Sequence, residues 1–119
     1  MTDPAAVVQA QLDAYNAKDL DALMATYAPD ARQFALHGAL LAQGHEEIRP
    51  RYAARFEEPG LRAQLLTRSV VGSFVTDVEL VFRALPEGRA TVEMLCVYEV
   101  VDGLIATASF ATGATTLLA

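Results

Sequence analysis

Tyr15–Ala31, with the sequence YNAKDLDALMATYAPDA, joins two short apolar patterns through a polar break. Asp19 follows the break and is a typical N-cap residue of a helix. Apolar residues then recur at helical spacing: Leu20, Leu23, Met24 and Tyr27. Pro29 ends this pattern. The stretch therefore predicts two helices that meet at a sharp corner near the start of the chain.

The segments on either side of this corner complete the first helix and predict a third. Upstream, Asp3 and Pro4 favour a helix start, and apolar residues follow at spacings of four and three: Val8, Leu12 and Tyr15. Residues 31–43 are predicted to be extended, with a turn near Gly38. A third helix is predicted from Gly44, in which the residues repeating every four positions are Ile48, Tyr52 and Phe56.

The second half of the chain is typical of strands. The predicted strands are 62–72, 74–84, 89–101 and 104–112. Asp102-Gly103 is a strong signal for a two-residue hairpin, and strands joined by such short links must be antiparallel. The sequence therefore predicts one α+β domain over residues 1–119, with three helices of the first half packed on a curved, mainly antiparallel sheet.

Composition and charge exclude several classes of protein. The chain is 53% hydrophobic with a net charge of -6, so it is not of the disordered type. It has no dense stripe of Lys or Arg, which argues against nucleic acid as a partner. No apolar run approaches the roughly 20 residues of a membrane span, and no basic segment of a signal peptide precedes Lys18. The single cysteine, Cys96, fits a reducing compartment, so a cytoplasmic location is expected.

Three segments carry a resemblance to a known family. They are residues 7–31, residues 44–56 (GHEEIRPRYAARF) and the last hairpin at 98–113 (YEVVDGLIATASFATG). With this order of elements, the chain resembles the nuclear transport factor 2-like superfamily, in its bacterial SnoaL-like or ketosteroid-isomerase-like branch. The resemblance implies a cystatin-like α+β cone, in which the helices close one side of an internal pocket and a strongly bent sheet forms the other.

The resemblance also locates the catalytic roles of ketosteroid isomerase. That enzyme uses an aspartate base, and a tyrosine and a protonated aspartic acid that hold the enolate oxygen. By resemblance the tyrosine position falls at Gln11, the base at Ala35 and the protonated acid at Cys96. Alanine cannot accept a proton, glutamine poorly replaces a tuned phenol, and cysteine is a weak donor. The three roles are therefore not retained.

Other catalytic or cofactor signals are missing from the sequence. The two histidines, His37 and His45, and Cys96 do not match a zinc spacing. There is no glycine-rich phosphate loop, and no serine lies in a nucleophile elbow. We therefore expect no metal and no cofactor.

Strand alternation predicts which side chains share a cavity. If Cys96 faces inward as the resemblance implies, Met94 and Tyr98 on the same strand do too, and Phe110 joins them from the last strand. In the first strand, Ala35 facing inward brings His37 with it. The predicted ligand-binding residues are Gln11, Tyr15, Tyr27, His37, Tyr52, Met94, Cys96, Tyr98 and Phe110.

Each of these residues also has a purely structural interpretation. A tyrosine can belong to the core with its hydroxyl at the rim, and Cys96 can be a small buried hydrophobe. Gln11 can be a partly exposed helix residue. His37 lies beside Gly38, and so can be an exposed turn residue, a core residue or the proton carrier of a pocket.

The first functional hypothesis is a domain that binds a small, largely apolar organic molecule. The second is an enzyme of the same fold that performs proton transfer, cyclisation or dehydration with His37 as acid and base. The third is a domain that only associates. A homodimer is also expected, because Leu95, Val97 and Ile105 form an apolar centre on the predicted outer sheet face, and self-pairing of one patch is the commonest arrangement.

Overall fold

A computed structural model describes residues 3–118. Over this range the chain forms three helices, α1 (Pro4–Ala17), α2 (Leu20–Ala25) and α3 (Gly44–Phe56). The six strands are β1 (Tyr27–Ala35), β2 (Leu40–Gln43), β3 (Arg62–Val71), β4 (Phe74–Leu85), β5 (Gly88–Val101) and β6 (Leu104–Leu117). None of the helices in this range is long and apolar enough to cross a membrane.

The corner between α1 and α2 forms where the sequence predicts it. Lys18 adopts a left-handed conformation with φ 55°, and its N–H donates to the carbonyls of Ala14 and Tyr15. Asp19 then caps α2, because its carboxylate accepts a hydrogen bond from the Ala22 N–H at 3.1 Å. Both helices are therefore closed by local interactions, and the chain turns sharply between them.

The strands form one open sheet in the order β2-β1-β6-β5-β4-β3. All neighbouring pairs are antiparallel except β1 and β6, which are parallel. Register shifts in four of these five pairings break the regular ladders, and such bulges bend a sheet. The predicted α+β fold, three helices on a curved and mainly antiparallel sheet, is confirmed.

Asn16 fixes α1 to the edge of the sheet. Its amide nitrogen donates to the Ala63 carbonyl at 2.9 Å, and its amide oxygen accepts from the Ala63 N–H at 2.8 Å. Ala63 belongs to β3, which is an edge strand, so Asn16 satisfies two backbone groups that lack a neighbouring strand. This contact fixes the height of α1 above the sheet.

The predicted position of Tyr27 at the end of a helix is wrong. Helix α2 ends at Ala25, and Tyr27 is the first residue of β1, paired with Ile105 of β6. The Ile105 N–H donates to the Thr26 carbonyl at 2.8 Å. Pairing with a strand that lies far along the chain thus overrides the helical spacing of Tyr27.

The predicted position of Ile105 on the outer sheet face is also wrong. Ile105 is fully buried, in the main core with residues such as Val8, Ile48 and Val75. The cause is an irregularity between Glu99 and Val100, where β6 supplies one additional residue and Ile105 pairs with Val100. A single extra residue reverses which side chains face inward.

Substitution of Ile105 tests this placement. Ile105→Ala should lower the free energy of unfolding by about 2–5 kcal/mol, because it leaves a cavity in a close-packed core. Val101→Ala is a matched control on the same hairpin, since Val101 is 46% exposed and should lose far less stability. Urea denaturation followed by circular dichroism measures both values. Equal losses for the two variants would contradict the inward placement of Ile105.

Candidate functional site

A cavity of about 280 Å³ lies between the helices and the inner face of the sheet. Helices α1 and α3 form one wall and all six strands contribute to the other. Its apolar and aromatic lining residues are Leu12, Tyr15, Ala35, Leu41, Tyr52, Ala63, Val81, Met94, Cys96, Tyr98 and Phe110. Its charged, amide and hydroxyl lining residues are Gln11, Arg51, Arg55, Glu79 and Thr112.

Seven of the nine predicted ligand-binding residues lie in this wall: Gln11, Tyr15, Tyr52, Met94, Cys96, Tyr98 and Phe110. Gln11 and Tyr15 are one turn apart on α1, so both point to the same side. Alternation along β5 gives Met94, Cys96 and Tyr98 a common face, and Phe110 pairs directly with Cys96. That these side chains bind a ligand stays a prediction.

Tyr27 lies behind the wall, outside the lining of the cavity. It is 1% exposed, and its hydroxyl lies 3.3 Å from the hydroxyl of Tyr52. The Gln33 amide donates to both hydroxyls, at 3.3 Å to Tyr27 and 3.0 Å to Tyr52, and accepts from Arg51 at 2.7 Å. Burial raises the pKa of Tyr52 and raises that of Tyr27 well above its usual value, so both phenols stay neutral. Tyr27 therefore helps to orient Tyr52.

The prediction that His37 points into the pocket is wrong. Strand β1 ends at Ala35, and His37 lies exposed in the following turn with φ 57°. Two backbone hydrogen bonds close this turn, from Gly38 to the Ala35 carbonyl and from Ala35 to the Ala39 carbonyl. Because the alternation of a strand stops where the strand stops, Ala35 lines the cavity and His37 does not.

Glu79 is a cavity residue that sequence reasoning missed. It lies on β4 and is 5% exposed. Its Oε1 accepts a weak hydrogen bond from the Cys96 thiol at 3.8 Å, whereas its Oε2 is buried and has no hydrogen-bond partner among the described residues. Alternation along β4 could have located Glu79, because inward and outward side chains alternate in a strand. Every second residue of this stretch is buried: Val75, Asp77, Glu79 and Val81.

The surroundings of Glu79 favour its neutral form. Burial, and then the charge of Asp77 two residues away, raise the pKa of Glu79 from 4.5 to about 7. The Cys96 thiol and Arg68 oppose this shift and are weaker. Glu79 is thus a carboxyl group that changes protonation near neutral pH inside a mostly apolar cavity.

Asp77 is fully buried and forms an ion pair beside the cavity. The Arg68 Nε and Nη2 donate to the two carboxylate oxygens of Asp77 at 2.7 and 2.9 Å. A further Arg68 nitrogen donates to the Gln9 side chain of α1 at 2.9 Å. Arg68 therefore compensates one of the two adjacent carboxyl groups, Asp77, and leaves Glu79 uncompensated.

Two more polar groups of the wall are free to bind. The described residues form no hydrogen bond with the side chain of Gln11 or with the hydroxyl of Tyr15, although Gln11 is 5% exposed. Burial raises the pKa of Tyr15 to about 12, so its phenol remains a donor over the ordinary pH range. The cavity can therefore offer an amide, a phenol and a carboxyl group to an otherwise apolar guest.

Comparisons with known proteins identify the family. Residues 8–108 match the model of the SnoaL-like domain. The chain belongs to the SnoaL-like family. None of the curated proteins matches this SnoaL-like chain in sequence.

Solved structures show the same fold. A cystatin-fold protein from Novosphingobium aromaticivorans has a TM-score of 0.85 and 24% identity, over 93% of this chain and 99% of that one. A protein from Sinorhizobium meliloti, provisionally named a polyketide cyclase, has a TM-score of 0.77 and 26% identity, over 92% and 100% of the two chains. Another from Streptomyces antibioticus, also provisionally named a polyketide cyclase, has a TM-score of 0.80 and 18% identity, over 93% and 92%.

In this SnoaL-like protein, the three positions that the resemblance assigns to the roles of ketosteroid isomerase all face the cavity. Gln11, Ala35 and Cys96 each belong to its lining. None of the three is a carboxyl or a phenol. The acidic group of this cavity is instead Glu79, on a different strand from Ala35 and Cys96.

Proposed function

We propose that this SnoaL-like protein binds a small, largely apolar organic molecule in the cavity. The observation that carries the proposal is an open volume of about 280 Å³, lined mostly by apolar and aromatic side chains and by a few polar groups. One of these polar groups, Glu79, has a buried oxygen with no hydrogen-bond partner among the described residues. This is the usual composition of a small-molecule site. A domain that only associates has no need to keep such a volume unfilled.

The structural neighbours support a small organic guest. Two of them are provisionally named polyketide cyclases, and another, from Catenulispora acidiphila, was solved in complex with trimethylamine. The enzyme hypothesis with His37 as acid and base has no support from the geometry, because His37 is exposed and outside the cavity wall.

Titration with naphthalene tests the binding proposal. Amide shifts in ¹H–¹⁵N NMR spectra should saturate, and the shifted amides should belong to the strands and helices that line the cavity. Ala35→Phe places a ring in the cavity and should weaken binding by about tenfold or more, which corresponds to at least 1.4 kcal/mol. Ala53→Phe, at an exposed position of α3, is the matched control and should bind as the wild type does. Equal binding by both variants would contradict the proposed site.

We also predict that the protein does not isomerise a Δ5-3-ketosteroid above background. The base position holds Ala35, and one missing oxyanion donor alone costs about 10²–10³ in rate. Absorbance of the conjugated product measures the activity. Turnover that disappears in Glu79→Gln would show instead that Glu79 acts as a base.

We propose further that two copies associate through the outer face of the sheet. Even-numbered residues of β4 and odd-numbered residues of β5 share this face, because the pairing of β4 with β5 is regular. They form an apolar outer band of Phe74, Val78, Leu80, Phe82, Leu95 and Val97. Phe74 is 48% and Val78 37% exposed.

The oligomeric state tests this second proposal. Light scattering coupled to size-exclusion chromatography should give the mass of a dimer for the wild type at micromolar concentration. Val78→Asp with Val97→Asp should give a monomer, because two carboxylates buried without partners are costly in an interface. Glu87→Asp, in the turn before β5, leaves the band intact and should remain dimeric. A monomeric wild type would contradict the proposal.

We propose a cytoplasmic location. The single cysteine, Cys96, is buried and unpaired, which fits a reducing compartment. Fluorescence microscopy of a tagged chain in its host would test the location, and a periplasmic or secreted signal would contradict it.

A further inference from the structure

The unpartnered oxygen of Glu79 points to the chemistry of the ligand. We infer that Glu79, in its protonated form, donates a hydrogen bond to an acceptor oxygen of the bound molecule, so that the preferred ligands are largely apolar carbonyl compounds. This inference rests on the proposed function, since it concerns the same cavity. The resemblance assigns no role to Glu79, which lies on β4 opposite Met94.

The geometry requires a partner for this side chain. Glu79 is 5% exposed, lines the cavity, and has no hydrogen bond at Oε2 within residues 3–118. A buried polar atom without a partner is costly, and such atoms are rare in folded proteins. A ligand atom in the cavity would supply the missing partner.

The charges around Glu79 decide between a donor and an acceptor role. The titratable and charged groups that face it from the elements packed around it are Asp77 on its own strand, Arg68 on β3, Cys96 and Tyr98 on β5, Tyr15 on α1, and the cavity-lining Arg51 and Arg55 on α3. Arg68 is already engaged by Asp77 through two hydrogen bonds. Burial, and then the negative charge of nearby Asp77, raise the pKa of Glu79 to about 7. Below that pH, Glu79 is a carboxylic acid and carries a proton to donate.

The rest of the polar wall is complementary to an acceptor. The Tyr15 hydroxyl, the Gln11 amide and the guanidinium groups of Arg51 and Arg55 can all donate hydrogen bonds. The two arginines also disfavour a cationic ligand in the same cavity. A carbonyl oxygen on an apolar framework satisfies this set of donors without introducing a buried charge.

An isosteric pair of probes isolates the hydrogen bond. 2-Acetylnaphthalene carries a C=O where 2-isopropenylnaphthalene carries a C=CH₂, so the ratio of their affinities measures what the oxygen adds. NMR titrations at pH 6 and pH 8 give both dissociation constants. If only the protonated form favours the ketone, the advantage of the ketone should fall by about tenfold between these two pH values, because the competent fraction falls by that factor around a pKa of about 7.

Two variants separate this hydrogen bond from packing. Glu79→Gln keeps an N–H donor of similar shape and does not titrate, so the advantage of the ketone should persist and become independent of pH. Glu79→Leu removes this donor, so the advantage of the ketone should be smaller than in Glu79→Gln and should no longer depend on pH. The ¹³C NMR signal of the Glu79 carboxyl carbon is assigned by its absence from the spectrum of Glu79→Gln. Its shift with pH gives the titration midpoint of Glu79 in the protein without a ligand.

The possible results are distinguishable. The inference is supported if the advantage of the ketone falls as the pH rises in the wild type, and if in Glu79→Leu it is reduced and independent of pH. If both probes bind the wild type with equal affinity, or if the advantage of the ketone rises with pH, the inference is overturned and the proposed function remains intact. If neither probe binds to the wild type, the proposed function fails and the inference fails with it.

Discussion

Arg68→Met should lower the free energy of unfolding by about 3–5 kcal/mol near neutral pH, because removing one partner leaves a buried charge uncompensated. Asp77 is fully buried, and both of its carboxylate oxygens accept hydrogen bonds from Arg68. No other cation of the described residues forms a salt bridge with Asp77. Urea denaturation followed by circular dichroism measures the loss.

An exposed ion pair provides the control for Arg68→Met. Arg49 pairs with Asp21, and their side chains are 48% and 85% exposed. Arg49→Met makes the same chemical change and should cost no more than about 1 kcal/mol, because water screens both charges. If Arg68→Met costs as little as Arg49→Met, Asp77 reaches water or another partner when Arg68 is absent.

A second variant tests whether charge or packing is responsible. Asp77→Asn combined with Arg68→Met removes both charges and keeps the side chain of residue 77 close to its original size. The double variant should recover part of the stability that Arg68→Met alone loses, because no isolated charge remains in the core. A double variant that is less stable than the single one would assign the loss to packing around the Arg68 side chain.

The parts of the fold that the sequence predicted correctly are those determined by neighbouring residues. The helix corner depends on Asp19 and a left-handed Lys18, and the last hairpin depends on Asp102-Gly103. Each signal acts within a few residues, so a pattern in the sequence is sufficient to recognise it. The regular alternation of β5 similarly placed Met94, Cys96 and Tyr98 on the cavity side.

The errors arise where distant strands decide the outcome. Tyr27 has helical spacing but pairs with Ile105 of β6, and one additional residue opposite Glu99 and Val100 turns Ile105 into the core. His37 has the parity of Ala35 but lies beyond the end of β1. Bulges and strand ends change the parity of all residues that follow, and a sequence pattern does not mark them.

Glu79 was missed for a related reason. An acidic residue in a strand is usually assigned to the solvent side, because burial of a carboxylate is unfavourable. Here the regular pairing of β4 with β5 puts Glu79 and Asp77 on the inner face, and Arg68 compensates only Asp77. The rule that places acidic strand residues on the solvent side therefore fails at Glu79. Glu79 lines a cavity, and functional residues in such positions commonly violate rules of this kind.

The stability of the protein should depend on pH through Glu79. Its pKa is about 7 in the folded state against 4.5 for an ordinary glutamate. Below about pH 4.5 both the folded and the unfolded chain hold the proton, and the contribution of Glu79 is fully present. Between about pH 4.5 and 7 the unfolded chain loses the proton while the folded chain retains it, so the unfolded state gains relative stability; above pH 7 both states lose the proton and the difference levels off. This difference in pKa corresponds to a loss of about 3 kcal/mol by pH 8.

Glu79→Gln isolates this contribution from that of other groups. Glu58, for example, has a lowered pKa because Arg83 donates to it, and it acts in the opposite direction at acidic pH. The measured quantity is therefore the difference in unfolding free energy between Glu79→Gln and the wild type, by urea denaturation at several pH values. The difference should be small near pH 4.5 and favour the variant by about 3 kcal/mol at pH 8. Glu87→Gln, in the exposed turn before β5, should follow the wild type at every pH.

Because the carboxyl group of Glu79 weakens the fold at neutral pH, we expect it to have a function that offsets this loss of stability. Replacement of Glu79 by glutamine removes one charge and little volume, so this stabilising change is available in a single substitution. If the variant gains stability at pH 8 and also loses the pH dependence of ketone binding, one protonation equilibrium explains both observations. If stability shows no dependence on residue 79, Glu79 is solvated in the open cavity, and its unpartnered oxygen contacts water instead of requiring a ligand.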